Sequence, residues 1–409
     1  MSVRRLDVWL GQRHIASIEA KQPWALKARY ATHVVENLPG NSPLLSCSLP
    51  VSRQWQDARW WARGLLPEGG HLLALASRAR VPTNYTADLL ARYGRDIAGA
   101  FTLTTGDPPE PRRWAVEEYT ADQLADELRN SATEPGFATR DDRELSLAGL
   151  QNKLLVVSLG PDRWGRPVNG HPSTHIMKLD DPRHAGLIEA EHSCLMLANA
   201  AGLTTIQPQF THIDDIPVLI IDRFDREQGL DGTVSRVHQE DTCQALATDL
   251  DSGAGRGKYQ NAGGPSFAAI AQLLQQHAND PAAELAQLLR LVVFTTVIGN
   301  ADAHGKNVSF LVDTTAGTIE LAPAYDTVPT ALWPSLRKTA AMAISGRYSS
   351  GANVDDLVAE AALWGVGGKL AESIIDEFLD VLNAAVADLP IRSDVAALIS
   401  DRTATMHAP

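Results

Sequence analysis

Gly299-Asn300-Ala301-Asp302-Ala303-His304-Gly305-Lys306-Asn307-Val308-Ser309-Phe310 follows directly on the apolar run Leu291–Ile298. Asp, His, Lys and two Asn fall within nine positions. Buried polar groups need partners, so an apolar helix that delivers so dense a polar cluster is presenting chemistry. Asp302 and Asn307 stand five apart, and Leu321-Ala-Pro-Ala-Tyr325-Asp326 sets another carboxylate at the end of a short apolar run.

Asp-x-x-x-x-Asn is the spacing of a protein-kinase catalytic loop, where the Asp accepts the proton of the attacking hydroxyl and the Asn holds Mg²⁺. A carboxylate placed like Asp326 is the one that bridges Mg²⁺ to the ATP phosphates. The residues point to an ATP-dependent phosphotransferase. A lone Asp-x-x-x-x-Asn arises often by chance, so the weight rests on what accompanies it.

Composition bounds the answer. At 409 residues the chain has room for two or three domains, and 44% hydrophobic residues supply a core. No run approaches 18 uncharged apolar residues, and Met1-Ser-Val-Arg-Arg-Leu-Asp lacks the apolar centre of a signal peptide. We therefore expect a cytoplasmic protein with no membrane contact. Cys47, Cys194 and Cys243 are an odd number and far apart, which argues against disulfides and a zinc site. The net charge of −13 argues against nucleic-acid binding by the whole surface. Residues 1–64 nevertheless carry nine Lys/Arg against four Asp/Glu, either a solvated face or a docking surface.

Along the chain, residues 3–10 and 28–35 read as strands joined through a turn at Gly11. Helices are expected over 58–66, 69–78 and 85–93, then a strand near Phe101. The five Trp before residue 62 read as core. Thr105-Gly-Asp-Pro-Pro-Glu-Pro-Arg-Arg113 marks a domain boundary. A helix over 119–129 follows, with Thr120 as its N-cap. Leu145-Ser146-Leu147-Ala148-Gly149-Leu150-Gln151-Asn152-Lys153 then precedes a strand, and a small-residue loop there can lay backbone N–H groups on phosphates or be an ordinary turn. Thr174-His-Ile-Met-Lys178-Leu has the pattern of a kinase strand ending in its phosphate-binding Lys; alone it is equally a strand-edge Lys in solvent. Glu189 or Glu191, early in a helix over 186–201, is placed to pair with Lys178 or to serve the helix dipole. An apolar strand over 217–221 runs into Asp222-Arg223-Phe224, the place of an adenine hinge. The glycine-rich segment 252–265 follows a helix rather than a strand and reads as a surface loop. Helices dominate from Phe267 onward.

Six motifs stand in order: Ser146-Leu-Ala-Gly-Leu-Gln-Asn-Lys153, His175-Ile-Met-Lys178, Arg223-Phe-Asp-Arg226, Gln239-Glu-Asp-Thr-Cys-Gln244, Gly299 to Asn307, and Pro323-Ala-Tyr-Asp326. Together they resemble the HipA family, serine/threonine kinase toxins of bacterial type II toxin–antitoxin systems. The resemblance covers nearly the whole chain, including Leu65-Leu-Pro-Glu-Gly69 and Tyr93-Gly-Arg-Asp-Ile-Ala-Gly99. It implies an α+β, two-lobed, protein-kinase-like fold, with an N-terminal subdomain (1–105), a mixed N-lobe (106–225) and an all-α C-lobe (226–409). By the same resemblance Asp302 is the catalytic base, Asn307 and Asp326 are the Mg²⁺ ligands, and Lys178 binds phosphate. Ser146, Ala148, Gly149 and Lys153 form the phosphate loop, with Ser146 its autophosphorylation site. Asp222, Arg223 and Phe224 are the adenine hinge, though the family often has Glu at the position of Asp222. His304 and Lys306 are expected to shape the catalytic loop, with Lys306 near the transferred phosphate.

The implied cofactors are ATP and Mg²⁺. The implied partners are a HipB-like helix-turn-helix antitoxin, operator DNA mainly through that antitoxin, and a protein substrate such as glutamyl-tRNA synthetase or another aminoacyl-tRNA synthetase. Three rivals remain: a small-molecule kinase of the same fold, a non-catalytic corepressor, and a metallohydrolase using Asp302, His304 and Asp326. The last lacks further ligands at helical spacing and leaves Lys178 idle.

Overall fold

The computed structural model describes residues 2–133, 152–229, 232–349 and 351–406. Its first 104 residues build a five-stranded antiparallel sheet in the order Gln56–Asp57, Ala25–Tyr30, Arg13–Gln22, Arg5–Leu10, Phe101–Thr104. The turn at Gly11 leads into Arg13–Gln22, a strand that polar residues and a register shift conceal in the sequence. The expected strand over 28–35 is instead Ala25–Tyr30, and the chain turns helical at Thr32–Asn37. Helices Arg59–Gly64, Gly69–Ala79 and Thr86–Tyr93 cover one core with Leu6, Val8, Ile18, Trp61 and Leu89. Of the five early Trp, Trp61 enters that core, whereas Trp24 is exposed and Trp55 and Trp60 lie beneath the guanidiniums of Arg29 and Arg59.

The second sheet is antiparallel, in the order Gln209–Ile213, Ile216–Asp222, His175–Leu179, Lys153–Ser158, Trp164–Val168, Ala115–Glu118. Side chains alternate between its faces. Leu154, Val156, Met177, Leu179, Val218 and Ile220 pack on Leu124 and Leu128 of helix Ala121–Thr133. The intervening positions meet helix Leu187–Ala200 through Ile188 and Leu195. This period of two is what delivers Lys178 to the cleft face.

Helices Phe267–His277, Pro281–Val297, Val354–Leu363, Gly368–Asp388 and Ser393–Met406 form the body of the last lobe. Side chains of Ser266, Asp280 and Asn353 cap three of them. The expected all-α lobe also carries strands: His238–Asp241, Ser309–Asp313 and Thr318–Leu321 form an antiparallel sheet, and Thr339–Ile344 pairs with Arg347–Ser349. His238–Asp241 is a strand because it pairs with Ser309–Asp313, a partner about 70 residues away that no local pattern announces. The sheet anchors the C-terminal end of the 299–310 segment through Ser309–Asp313.

Candidate active site

The strand register sets the cleft's cations. Lys153 and Lys178 are direct partners across neighbouring antiparallel strands, so both side chains leave the same face. Lys178 is buried, and its Nζ donates to Oε1 of Glu191 at 2.5 Å and to the carboxylate of Asp326. Glu191 thus takes the place left open between two carboxylates, while Glu189 pairs with Arg392. Burial alone would depress the Lys178 ammonium, but Asp326 and Glu191 outweigh it and hold its pKa up. Lys153 is drawn down to about 8 by burial, with Asp326 opposing and Lys178 assisting. Burial pushes Asp326 up, but the two lysines overcome it and bring the carboxyl to about 2. Burial drives Glu191 the other way, upward, despite Lys178.

The second wall is the segment after helix Pro281–Val297. Gly299 has φ +67°, and a Cβ there would stand 2.7 Å from that of Ala331. The glycine lets the chain leave the helix abruptly. Asn300 then ties two loops together: its Oδ1 accepts from the Asp302 N–H at 3.0 Å, and its Nδ2 donates to the Asp326 carbonyl at 3.2 Å. Asn307 Nδ2 donates to the Asp302 carbonyl at 3.1 Å. This spends the amide nitrogen on the loop, and the Oδ1 beside it is of the kind that could serve a metal ion. Asp326 itself has φ +50°, a left-handed backbone that is costly for a residue with a Cβ and recurs where function demands it.

An Asp and an Asn offering oxygen to the cleft suit Mg²⁺, a hard cation that shares few protein ligands with substrate phosphates. Among the described residues no group of three or more His, Cys, Asp or Glu is arranged to hold a metal. The metallohydrolase reading finds no ligand set there.

Other expected residues are placed differently. Lys306 is buried and donates to Asp241 Oδ2 at 2.7 Å and the Gly64 carbonyl at 3.2 Å, so it braces the loop from behind. Asp241 can claim it because the strand His238–Asp241 lies beside Ser309–Asp313. The guanidinium of Arg223 pairs with Asp225 at 2.7 Å and reaches the Ile97 carbonyl, and the Arg223 backbone N–H donates to the Thr174 carbonyl. Arg223 therefore locks the small lobe to the N-terminal subdomain. Asp222 accepts the Gln207 N–H at 2.6 Å, and the Phe224 ring lies 5.5 Å from that of Tyr325. His304 is buried, and burial together with Lys258 holds its imidazole down at about 4, hence neutral. Ser146, Ala148 and Gly149 lie outside the described residues.

The glycine-rich stretch is no detached surface loop. A Cβ at Gly257 would meet the Asp249 carbonyl at 1.8 Å, and one at Gly264 the Gly257 carbonyl at 2.6 Å, so its glycines permit close packing. It brings the Tyr259 hydroxyl to Oδ1 of Asp302 at 2.8 Å and the buried Lys258 to Glu68 at 2.8 Å. Asn300 and Glu68 lie within sequence motifs that do not by themselves mark them as site residues, and no local pattern marks Tyr259.

Comparison with known proteins agrees. Residues 145–386 match the HipA-like C-terminal domain, and residues 6–104 the HipA N-terminal domain. A Sinorhizobium fredii protein bearing the name "Putative kinase Y4mE" is 32% identical over 399 residues, covering 95% of this chain and 92% of that one. The Shewanella oneidensis serine/threonine-protein kinase toxin HipA is 29% identical over 292 residues, 69% of this chain and 66% of that one. Among solved structures, Shewanella oneidensis HipA with HipB and its operator DNA shares the fold at a TM-score of 0.81 and 22% identity, covering 98% of this chain and 95% of that one. The chain belongs to the HipA family.

Proposed function

We propose that this HipA-family kinase uses ATP and Mg²⁺ to phosphorylate a serine or threonine hydroxyl of a protein that serves translation, such as an aminoacyl-tRNA synthetase, and so arrests growth. The observation that carries the reading is the cleft itself: Lys178 sits between Glu191 and Asp326, opposite the loop bearing Asp302 and Asn307. Lys178, kept cationic by its two carboxylates, binds the nucleotide's phosphates, and the arrival of those anions reinforces the charge of Lys153 beside it. Asn307 and Asp326 hold Mg²⁺, which neutralises charge on the phosphates when bound. Asp302 orients the acceptor hydroxyl and takes its proton as the new P–O bond forms and the bond to ADP breaks. The work is positioning and electrostatics.

The family membership and the kinship in fold with a HipA solved beside HipB and operator DNA support a toxin–antitoxin setting. The proposed partner is a HipB-like antitoxin, with operator DNA reached mainly through it. No helix among the described residues is long and apolar enough to cross a membrane, and the proposed site of action is the cytoplasm. Phosphorylation of Ser146 would silence the enzyme by removing its loop from the nucleotide site.

Purified protein with radiolabelled ATP and Mg²⁺, alone and with a lysate of antitoxin-free cells, tests this. Label on the protein should vanish in Asp302→Gln and Ser146→Ala, while a labelled lysate band should vanish in Asp302→Gln only. Nucleotide binding with no label in any lane would overturn catalysis in favour of a corepressor role.

A further inference from the structure

We propose that Tyr259 is a positioning residue for the phosphoryl transfer: its hydroxyl fixes Oδ1 of Asp302 so that Oδ2 is presented to the acceptor hydroxyl. The inference rests on the reading of Asp302 as the group that receives that hydroxyl. The backbone of Asp302 is held from three sides, by the Asn300 side chain, the Asn307 side chain and the His304 N–H. Its carboxylate is held differently. Among the described residues its hydrogen bond comes from Tyr259, at 2.8 Å to Oδ1. A carboxylate fixed at one oxygen keeps its plane and offers the other in a set direction, which orientation of an attacking hydroxyl requires.

A tyrosine on a mobile loop would be a plug occupying the acceptor's place. This one is immobilised. The Arg337 guanidinium lies 4.3 Å from the ring centroid, and the neutral His304 ring meets its edge at 5.3 Å. The preceding residue, Lys258, is buried, pairs with Glu68 of the N-terminal subdomain at 2.8 Å, and gives its carbonyl to the Gly305 N–H at 3.2 Å. The following residue, Gln260, accepts the Ala343 N–H at 2.7 Å, tying the segment to strand Thr339–Ile344. With the close packing at Gly257 and Gly264, both flanks of Tyr259 are clamped between the N-terminal subdomain and the catalytic lobe. The Leu65-Leu-Pro-Glu-Gly69 motif thereby gains a role: Glu68 supports the segment that supports Asp302.

The experiment measures phosphorylation kinetics of the full chain, with a tagged Asp302→Gln copy of the same chain as acceptor. Tyr259→Phe keeps the ring between Arg337 and His304 and removes the hydroxyl. Its kcat should fall about 10-fold, the worth of one oriented hydrogen bond to a charged group, with KM for ATP and for the acceptor unchanged within about twofold. In the Asp302→Glu background, where the carboxylate is displaced by a methylene, adding Tyr259→Phe should cost less than about twofold. An unchanged kcat, a loss confined to KM, or an equal loss in both backgrounds would overturn the proposal. Wild-type rates in Asp302→Glu and Asp302→Gln enzymes would instead overturn the reading of Asp302, whatever Tyr259 does.

Discussion

Two clusters of buried charge face different tasks in this molecule. Between the N-terminal subdomain and the small lobe, Asp96 and Asp225 sit among Arg223, Arg226 and Arg236, all with buried side chains. In the cleft, Glu191 and Asp326 sit among Lys178 and Lys153. The first cluster is shut off from solvent: Asp96 also accepts the Ser173 N–H, Asp225 the Gly99 N–H, and the guanidiniums reach the Ile97 and Gly99 carbonyls, while Arg226 Nε and Arg236 Nη1 have no hydrogen-bond partner among the described residues. The cleft cluster is open on one side, with Asp326 about one-third exposed and its backbone left-handed. Arginine supplies the closed cluster and lysine the open one, which fits their chemistry: the planar fork satisfies several acceptors in fixed geometry, while an ammonium can shift its proton and receive a phosphate. A cluster shut off from solvent fixes domain geometry. One with an exposed carboxylate keeps its capacity for a ligand.

Opening the comparison at the cleft should have the largest effect. Asp326→Asn should lower phosphotransfer about 10³-fold while leaving the thermal midpoint nearly unchanged, because Lys178 keeps Glu191; rate and melting curves on one preparation decide it. A collapse of the fold would place Asp326 with the structural cluster. At the closed cluster the expected pattern inverts. Asp96→Ala removes a carboxylate from beside three guanidiniums, leaving Arg223 and Arg226 with Asp225 and Arg236 with no ion pair among the described residues, and should cost about 3–5 kcal/mol of stability, read by urea denaturation, with kcat of the folded fraction retained.

A further buried carboxylate, Glu240, sharpens the contrast because it has no ion pair among the described residues. Its Oε1 accepts the Cys47 N–H at 2.7 Å, its Oε2 has no partner there, and burial pushes its pKa from 4.5 up to about 7. The folded state therefore binds the extra proton between about pH 4.5 and 7, and stability falls as pH rises through that window. Glu240→Gln should abolish this slope and be more stable than wild type at pH 8, by on the order of 3 kcal/mol. Equal stabilities at pH 8 would show that Glu240 is ionised and satisfied in the folded protein.

The chemistry-bearing residues were legible to the degree that they sit in compact local patterns. Lys178 lies near the end of strand His175–Leu179, and Asp302 and Asn307 share one loop, so local spacing predicts their neighbourhood. Partner choice was legible only in outline: Glu189 and Glu191 were equal candidates until helix Leu187–Ala200 was seated on the sheet. Lys306 lies in the same dense motif as Asp302, yet it faces Asp241 and Gly64. Side chains two to four apart on an irregular loop diverge, and no periodicity says which way.

The sequence by itself determined the α+β composition, the apolar helix that carries the catalytic segment, and the order Lys178, Asp302, Asn307, Asp326, because these depend on contiguous residues and short-range periodicity. Tertiary structure alone decided that Glu191 joins Lys178, that the C-terminal lobe contains a sheet, and that Tyr259 and Glu68 stand behind Asp302. Each of those facts pairs residues 13 to 190 positions apart. Such contacts form only when separate elements bury their apolar faces together, and burial is what turns an ordinary Lys, Glu or Tyr into a partner.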